Sequence, residues 1–125
     1  MKGFFLMLFF MTATLFSPLG AQQKEDIVKA LMAGKAEVLC ANMSSNCELI
    51  LPSGTWNSGS ACNRLSAFLQ ANPVKRFSLM HQGESDQTAF VVANLQAGQS
   101  EYRVYALIRL DGDHSCLEQL RIESN

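Results

Sequence analysis

The chain has 125 residues, 48% of them hydrophobic, which is enough apolar material for one domain with its own core. Ten lysines and arginines are balanced by eleven aspartates and glutamates, giving a net charge of −1, and no block of like charge occurs. Because nucleic-acid binding needs a basic face, this balance argues against DNA or RNA as a partner.

Residues 1–21 predict a cleaved secretory signal peptide. Lys2 supplies a short positive start, residues 4–16 are almost purely apolar, and a Pro-Leu-Gly-Ala stretch follows. A membrane-spanning helix needs about 20 apolar residues, and this run is shorter. No cysteine precedes Cys40, so the cleavage point offers no thiol for a lipid. We therefore expect one domain, residues 22–125, that is periplasmic or secreted and has no membrane anchor after cleavage.

The remaining sequence indicates helices first and strands afterwards. Apolar residues at helical spacing and turn signals at Gly34, Pro52 and Pro73 separate the elements. The expected helices cover residues 22–33, 36–43 and about 58–71, and the expected strands cover 47–51, 75–82, 88–96, 101–110 and 116–123. The order helix-helix-strand-helix followed by a four-strand meander predicts an α+β domain. Its three helices would pack on one face of a curved antiparallel sheet.

The stretch DGDH, residues 111–114, raises the question of a metal site, because calcium is the metal that paired aspartates suggest. A calcium loop beginning at Asp111 would need glycine at its sixth position and glutamate at its twelfth. The sequence has Cys116 and Ile122 there. Asp-Gly between two strand-like runs is instead a strong hairpin signal. We predict a turn here, and no metal or cofactor.

Four cysteines, Cys40, Cys47, Cys62 and Cys116, follow the signal segment. An even number in an exported protein invites disulfides, and the absence of C-x-x-C pairs argues against zinc. Three pairings are open, and we favour the local pair Cys40–Cys47, which leaves Cys62–Cys116 as the long-range pair. Free buried thiols are the alternative, since cysteine packs like a small hydrophobe.

Strand alternation yields two weak candidates for acid–base chemistry. Glu118 falls in the same alternating set as Leu120 and Ile122, so it would face the apolar side and desolvation would raise its pKa. His81 would share a face with Phe77 near a strand end and could shuttle a proton. The ordinary alternatives are that Glu118 lies at the sheet edge or pairs with an arginine, and that His81 hydrogen-bonds into the adjacent turn.

Two further groups of side chains are candidates for binding. The candidates for the mouth of a ligand cavity are Trp56, His81 and Tyr102. Trp56 could equally just cover the core. The candidates for an interface on the other sheet face are Arg103, Tyr105, Leu107 and Arg121. A partly apolar, arginine-rich face suits a dimer, and an ordinary solvated face covered by long side chains is the alternative.

Three segments carry a resemblance to a known family: HQG at 81–83, YRVY at 102–105 and QLRIE at 119–123. Together with the signal peptide and the element order, they resemble small exported proteins of unknown function from Bacteroidota-type bacteria. That family has the nuclear-transport-factor-2-like fold, in which a curved sheet wraps a helix into a cone. The four cysteines, and Glu118 in place of an aliphatic residue, depart from it. The resemblance implies a fold and no activity, because the wider superfamily includes isomerases, dehydratases and non-catalytic modules.

The sequence therefore favours an exported, non-catalytic binding or assembly module over an enzyme. It would use the cone cavity or the open sheet face to bind a small apolar ligand or a protein, including a second copy in a homodimer. The alternative is a small isomerase- or hydratase-like enzyme with Glu118 or His81 as acid or base in the cone. The depth of the cavity and the positions of these two side chains discriminate between the two.

Overall fold

The computed structural model describes residues 19–57, 59–111 and 114–125, with side chains from residue 23 onward. Its helices are α1 (Leu19–Ala33), α2 (Ala36–Ala41) and α3 (Gly59–Ala71). Its strands are β1 (Met43–Leu51), β2 (Gly54–Asn57), β3 (Val74–Glu84), β4 (Thr88–Ala97), β5 (Ser100–Asp111) and β6 (His114–Ser124). None of the helices described is both long and apolar enough to cross a membrane. Most of the predicted signal peptide lies outside the described residues.

The strands form one six-stranded sheet in the order β2-β1-β6-β5-β4-β3. The meander from β3 to β6 is antiparallel, and the predicted α+β class with three helices is confirmed. The sheet is not antiparallel throughout, because β1 pairs in parallel with β6. The short strand β2 was not predicted, since its four residues GTWN lie among turn-forming residues and show no clear alternation.

Helix α1 illustrates how local sequence sets an element boundary. Ile27, Ala30 and Leu31 are buried at helical spacing against the sheet. Gly34 then adopts a left-handed φ of +67°, its N–H donates to the carbonyl of Leu31, and that of Lys35 donates to the carbonyl of Ala30. This pattern satisfies the last helical carbonyls and ends the helix. A side chain at Gly34 would also collide with Val74 on β3.

The three helices cover one face of the sheet, which we call the inner face. The core forms between them, and its largest fully buried side chains are Ile27, Leu39, Leu49, Leu65, Ile108, Leu117 and Leu120. Along β5 the buried residues alternate with half-buried ones, as a sheet covered on one side requires. The opposite face, which we call the open sheet face, is covered by none of the three helices.

A disulfide joins Cys40 on α2 to Cys62 on α3, with 5.3 Å between their Cα atoms. The predicted pairs Cys40–Cys47 and Cys62–Cys116 were therefore wrong, and Cys47 and Cys116 are free. The prediction relied on the short spacing between Cys40 and Cys47. The chain passes from helix into strand between these residues, and the Cys47 side chain is buried in the core. The two helices instead pack beside each other and bring Cys62 close.

We expect the double variant Cys40→Ala, Cys62→Ala to lose about 3 kcal/mol of unfolding free energy, because the disulfide restricts the unfolded chain over a separation of 22 residues. Urea unfolding followed by circular dichroism measures this loss. Cys116→Ala is the matched control and should leave stability within about 0.5 kcal/mol. Equal midpoints for the double variant and the unaltered protein would show that these cysteines are not joined.

Candidate functional site

The interior of the cone, between the helices and the inner face, is filled. Its lining consists of leucine, valine, isoleucine and phenylalanine side chains together with Gly34, and includes no ionisable group. The space that remains is about 10 Å³, which is room for one water molecule at most. Neither a small apolar ligand nor a substrate has a place there in this conformation.

Glu118 lies outside this interior. The pairing of β5 with β6 passes from Leu107 opposite Gln119 directly to Ile108 opposite Leu117, which makes Glu118 the extra residue of a β-bulge. Its carboxylate lies 3.1 Å from Nη1 of Arg109 on the open sheet face. The predicted position on the apolar side was wrong because a bulge shifts the alternation that the prediction assumed. Pairing with an arginine, the ordinary alternative, is what the structure shows.

His81 is displaced from its predicted face by a second bulge. The pairing of β3 with β4 skips Met80, so that Phe77 and Leu79 lie opposite inner-face residues while His81 lies opposite Val92 on the open sheet face. The imidazole is exposed, and its ring centroid is 5.4 Å from that of Phe90. His81 therefore does not share a face with Phe77, and it reaches no acid or base in the cone.

Trp56 is a packing residue. The guanidinium of Arg64 lies 5.1 Å from the centroid of its ring, and Gly54 lies so close to the indole that a Cβ there would be 3.3 Å from it. The first contact is a cation–π interaction that joins β2 to α3, and the second lies within β2. Trp56 thus holds a strand to a helix.

Tyr102 is buried on the inner face. Its hydroxyl donates to Oδ1 of Asn72 at 3.4 Å, and its ring meets Phe68 edge to face with 5.3 Å between centroids. Tyr102 and Trp56 both pack on α3, whereas His81 is on the opposite face of the sheet. The three candidate mouth residues therefore do not form one site.

The open sheet face has an apolar block at its centre. Phe90 pairs with Leu107 and Val92 pairs with Tyr105, and these two cross-strand pairs are neighbours on β4 and β5. Phe90 is 39% exposed, and the other three are half-buried although no helix covers them. Tyr105 and Leu107 were predicted for this face. Phe90 and Val92 were missed because residues 88–96 are apolar on both faces of the strand. Only the pairing of Val92 with Tyr105 shows which of the two sets lies on the open sheet face.

Three arginines surround the apolar block, and each is held by a neighbour. Nε of Arg103 donates to Oδ1 of Asn94 at 3.1 Å. Arg109 pairs with Glu118 and donates to Sγ of Cys116 at 3.5 Å, and these two neighbours raise its pKa further, Cys116 the more strongly. Arg121 lies 3.2 Å from the carboxylate of Glu123, and its guanidinium is 5.5 Å from the Tyr105 ring centroid. The predicted group Arg103, Tyr105, Leu107 and Arg121 thus lies on one surface.

The DGDH segment joins two paired strands. Asp111 pairs with His114 at the end of the β5–β6 ladder, while Gly112 and Asp113 between them lie outside the described residues. Across residues 19–57, 59–111 and 114–125, no three His, Cys, Asp or Glu side chains are grouped closely enough to hold a metal ion.

A family model described as a domain of unknown function, DUF4783, matches residues 24–123. The chain belongs to the DUF4783 family. The crystal structure of a DUF4783 protein from Bacteroides uniformis ATCC 8492 is 23% identical with a TM-score of 0.74, over 81% of this chain and 95% of that one. The crystal structure of a DUF4783 protein from Bacteroides fragilis YCH46 is 22% identical with a TM-score of 0.70, over 80% of this chain and 96% of that one.

The wider fold is also shown by these comparisons. An NTF2-like protein from Cytophaga hutchinsonii ATCC 33406 has a TM-score of 0.61 at 12% identity, over 84% of this chain and 94% of that one. At such identities the likeness supports the nuclear-transport-factor-2-like fold and nothing about activity. No curated protein matches the sequence. The expected resemblance is therefore confirmed in part: the family has Bacteroides members and the fold neighbours include NTF2-like proteins, while export stays a prediction.

We expect Glu118→Gln to change the unfolding free energy by less than about 1 kcal/mol, because the pair with Arg109 is partly exposed and such pairs contribute little. Chemical denaturation measures the change. Leu120→Gln, which puts the same amide at a fully buried position of β6, is the control and should lose several times more. Comparable losses in the two variants would place Glu118 in the core.

The two free thiols should differ in reactivity. Burial raises the pKa of Cys47 from 9.0 to about 11, with smaller contributions from Cys116, Glu118 and Glu48. At pH 8 only about one Cys47 in a thousand then carries the reactive thiolate. We expect iodoacetamide to label Cys116 first and Cys47 only after urea unfolding, as read by peptide mass. Equal labelling of both thiols in the folded protein would contradict this burial.

The same shift predicts how stability depends on pH. Because folding keeps Cys47 protonated, its contribution is fully present below pH 9 and is lost as the pH rises towards 11. The unfolding free energy should therefore fall by about 2 kcal/mol more in the unaltered protein than in Cys47→Ala between those values. Urea unfolding at both pH values measures the difference, and parallel curves for the two proteins would contradict it.

Proposed function

We propose that this domain is an exported, non-catalytic assembly module whose open sheet face binds the same face of a second copy. The observation that carries the proposal is the apolar block of Phe90, Val92, Tyr105 and Leu107, which lies on the sheet face that no helix covers. The cone interior, which the sequence suggested as a binding place, is filled by its own side chains.

The chemistry of the face suits the centre of a protein interface. Such centres are enriched in aromatic residues and arginine and poor in lysine. Here Phe90 and Tyr105 supply the rings, and the described part of the open face between β4 and β6 has three arginines and no lysine. Since Arg103, Arg109 and Arg121 are already held by neighbours, little side-chain freedom remains to be lost on binding.

The charges of the face favour a second copy as the partner. Arg103, Arg109 and Arg121 are matched by Glu48, Glu118 and Glu123 on the same face. A two-fold contact brings one patch against the same patch of a second copy. Such a contact avoids charge repulsion only where the patch has charges of both signs. A strongly acidic or basic partner would meet like charge over half of the face, at a cost that disfavours binding.

Export is the second part of the proposal. It rests on the signal-like residues 1–21 and is supported by the disulfide Cys40–Cys62, because disulfides persist in oxidising compartments. The enzyme alternative, an isomerase- or hydratase-like reaction in the cone, receives no support. Glu118 and His81 both lie on the open sheet face, and the interior has no ionisable lining.

We expect Leu107→Arg to weaken self-association at least 100-fold, because it sets a charge into the apolar block between Arg109 and Tyr105 and would face its own copy across the two-fold axis. Sedimentation equilibrium over a concentration series measures the dissociation constant. Met32→Arg is the matched control, since it introduces the same side chain at a 48% exposed apolar position of α1. Thermal unfolding should show both variants folded.

Either of two results would contradict the proposal. One is that the unaltered protein stays monomeric up to about 1 mM, because its affinity for a second copy would then be too weak for a specific dimer. The other is a dimer that dissociates equally in the Leu107→Arg and Met32→Arg variants, which would place the contact elsewhere on the surface.

A further inference from the structure

A second feature of the open sheet face lies towards the turn between β4 and β5, beside the apolar block. Arg76 and Ser78 on β3, Asn94 and Gln96 on β4, and Glu101 on β5 line a hollow of about 170 Å³ that Leu95 completes. We call it the polar hollow. The register fixes its layout, because Arg76 lies opposite Gln96, which lies opposite Glu101, and Ser78 lies opposite Asn94 in the next row.

The polar hollow has unused hydrogen-bonding and charged groups. Within the part of the chain that the structure describes, the side chains of Arg76, Gln96 and Glu101 have neither an ion-pair nor a hydrogen-bond partner. Asn94 is held in place by Arg103, which donates to its Oδ1. The amide N–H groups of Asn94 therefore remain available as donors. This contrasts with the arginines around the apolar block, each of which has a partner.

The arrangement of these groups is complementary to a ligand with opposite charges at its two ends. Arg76 and Glu101 stand on strands separated by β4, so their Cα atoms are about 10 Å apart. A guanidinium binds a carboxylate with paired hydrogen bonds, and a free glutamate binds an ammonium group. Between them, the amides of Asn94 and Gln96 complement a peptide bond, which has one donor and one acceptor.

The size of the hollow limits the size of the ligand. A volume of 170 Å³ corresponds to about six water molecules in the liquid and is below the range for larger organic ligands. An extended dipeptide spans about 7 Å between its charged ends, which fits between the two charged side chains. A free amino acid has no peptide bond to meet Asn94 and Gln96, and an uncharged sugar would gain no charge-assisted hydrogen bond from Arg76 or Glu101.

We propose that the polar hollow binds a short zwitterionic peptide of dipeptide size. Arg76 binds its terminal carboxylate, Glu101 binds its terminal ammonium group, and Asn94 and Gln96 bind the peptide bond. All the residues of the hollow come from one copy of the chain, so the binding site itself needs no second copy.

The test is a ¹H–¹⁵N chemical-shift titration of the folded protein with alanyl-alanine. We expect saturable shifts at the backbone amides of residues 76–78, 94–96 and 101, with a dissociation constant of about 1 mM. Arg76→Gln and Glu101→Gln should each weaken binding at least tenfold, because each removes a charge-assisted contact. Lys75→Gln is the matched control, since Lys75 is an exposed cation next to Arg76 that does not line the hollow.

Blocked peptides identify which end binds where. N-acetyl-alanyl-alanine should bind more weakly than alanyl-alanine and should be insensitive to Glu101→Gln. Alanyl-alanine amide should likewise be insensitive to Arg76→Gln. Repeating the titration in Leu107→Arg, which we expect to be monomeric, should give saturable shifts at the same amides, so that the test does not depend on the dimer proposal. No saturable shift at these amides, equal binding of a doubly blocked peptide, or equal effects of Lys75→Gln and Arg76→Gln would each overturn the inference.

Discussion

Leu117 and Leu120 are both fully buried on the inner face of β6 although they are three positions apart along the strand. Strict alternation would put them on opposite faces, so the bulge at Glu118 is the condition for burying both. Burial of each leucine is worth about 2 kcal/mol or more, which exceeds the cost of one interrupted ladder position. Burial of both leucines therefore turns Glu118 to the open sheet face, and none of the described residues that line the cone interior is an acid.

The same burial of apolar side chains explains the contrast between the two faces. Filling the cone with leucine and valine side chains leaves about 10 Å³ free, and the disulfide between α2 and α3 fixes the two helices that close it. The inner face therefore supplies stability and has no capacity left for a ligand. The open sheet face differs from the inner face in that its polar groups are exposed and are placed by strand register rather than by flexible loops.

The sequence predicted those features of the fold that depend on local sequence patterns. The helices around Ile27 and Leu65 followed from helical spacing and capping residues, and the β3–β6 meander followed from its turn signals. What it could not predict depends on contacts between distant segments. The Cys40–Cys62 pair requires α2 to lie beside α3, and the parallel pairing of β1 with β6 joins segments about 70 residues apart. The bulges at Met80 and Glu118 belong to the same class, because a bulge is visible only against the partner strand.

Those two bulges also explain why the site prediction succeeded on one face and failed on the other. Arg103, Tyr105 and Leu107 lie on β5, where burial alternates without interruption through that stretch, so counting by two assigned them correctly. Glu118 and His81 lie at or just after an irregularity, where counting by two reverses the face. Bulges re-aim side chains, and here both of them move an ionisable group from the predicted interior to the open sheet face. Both of these ionisable groups thereby lie on the sheet face that the helices leave uncovered.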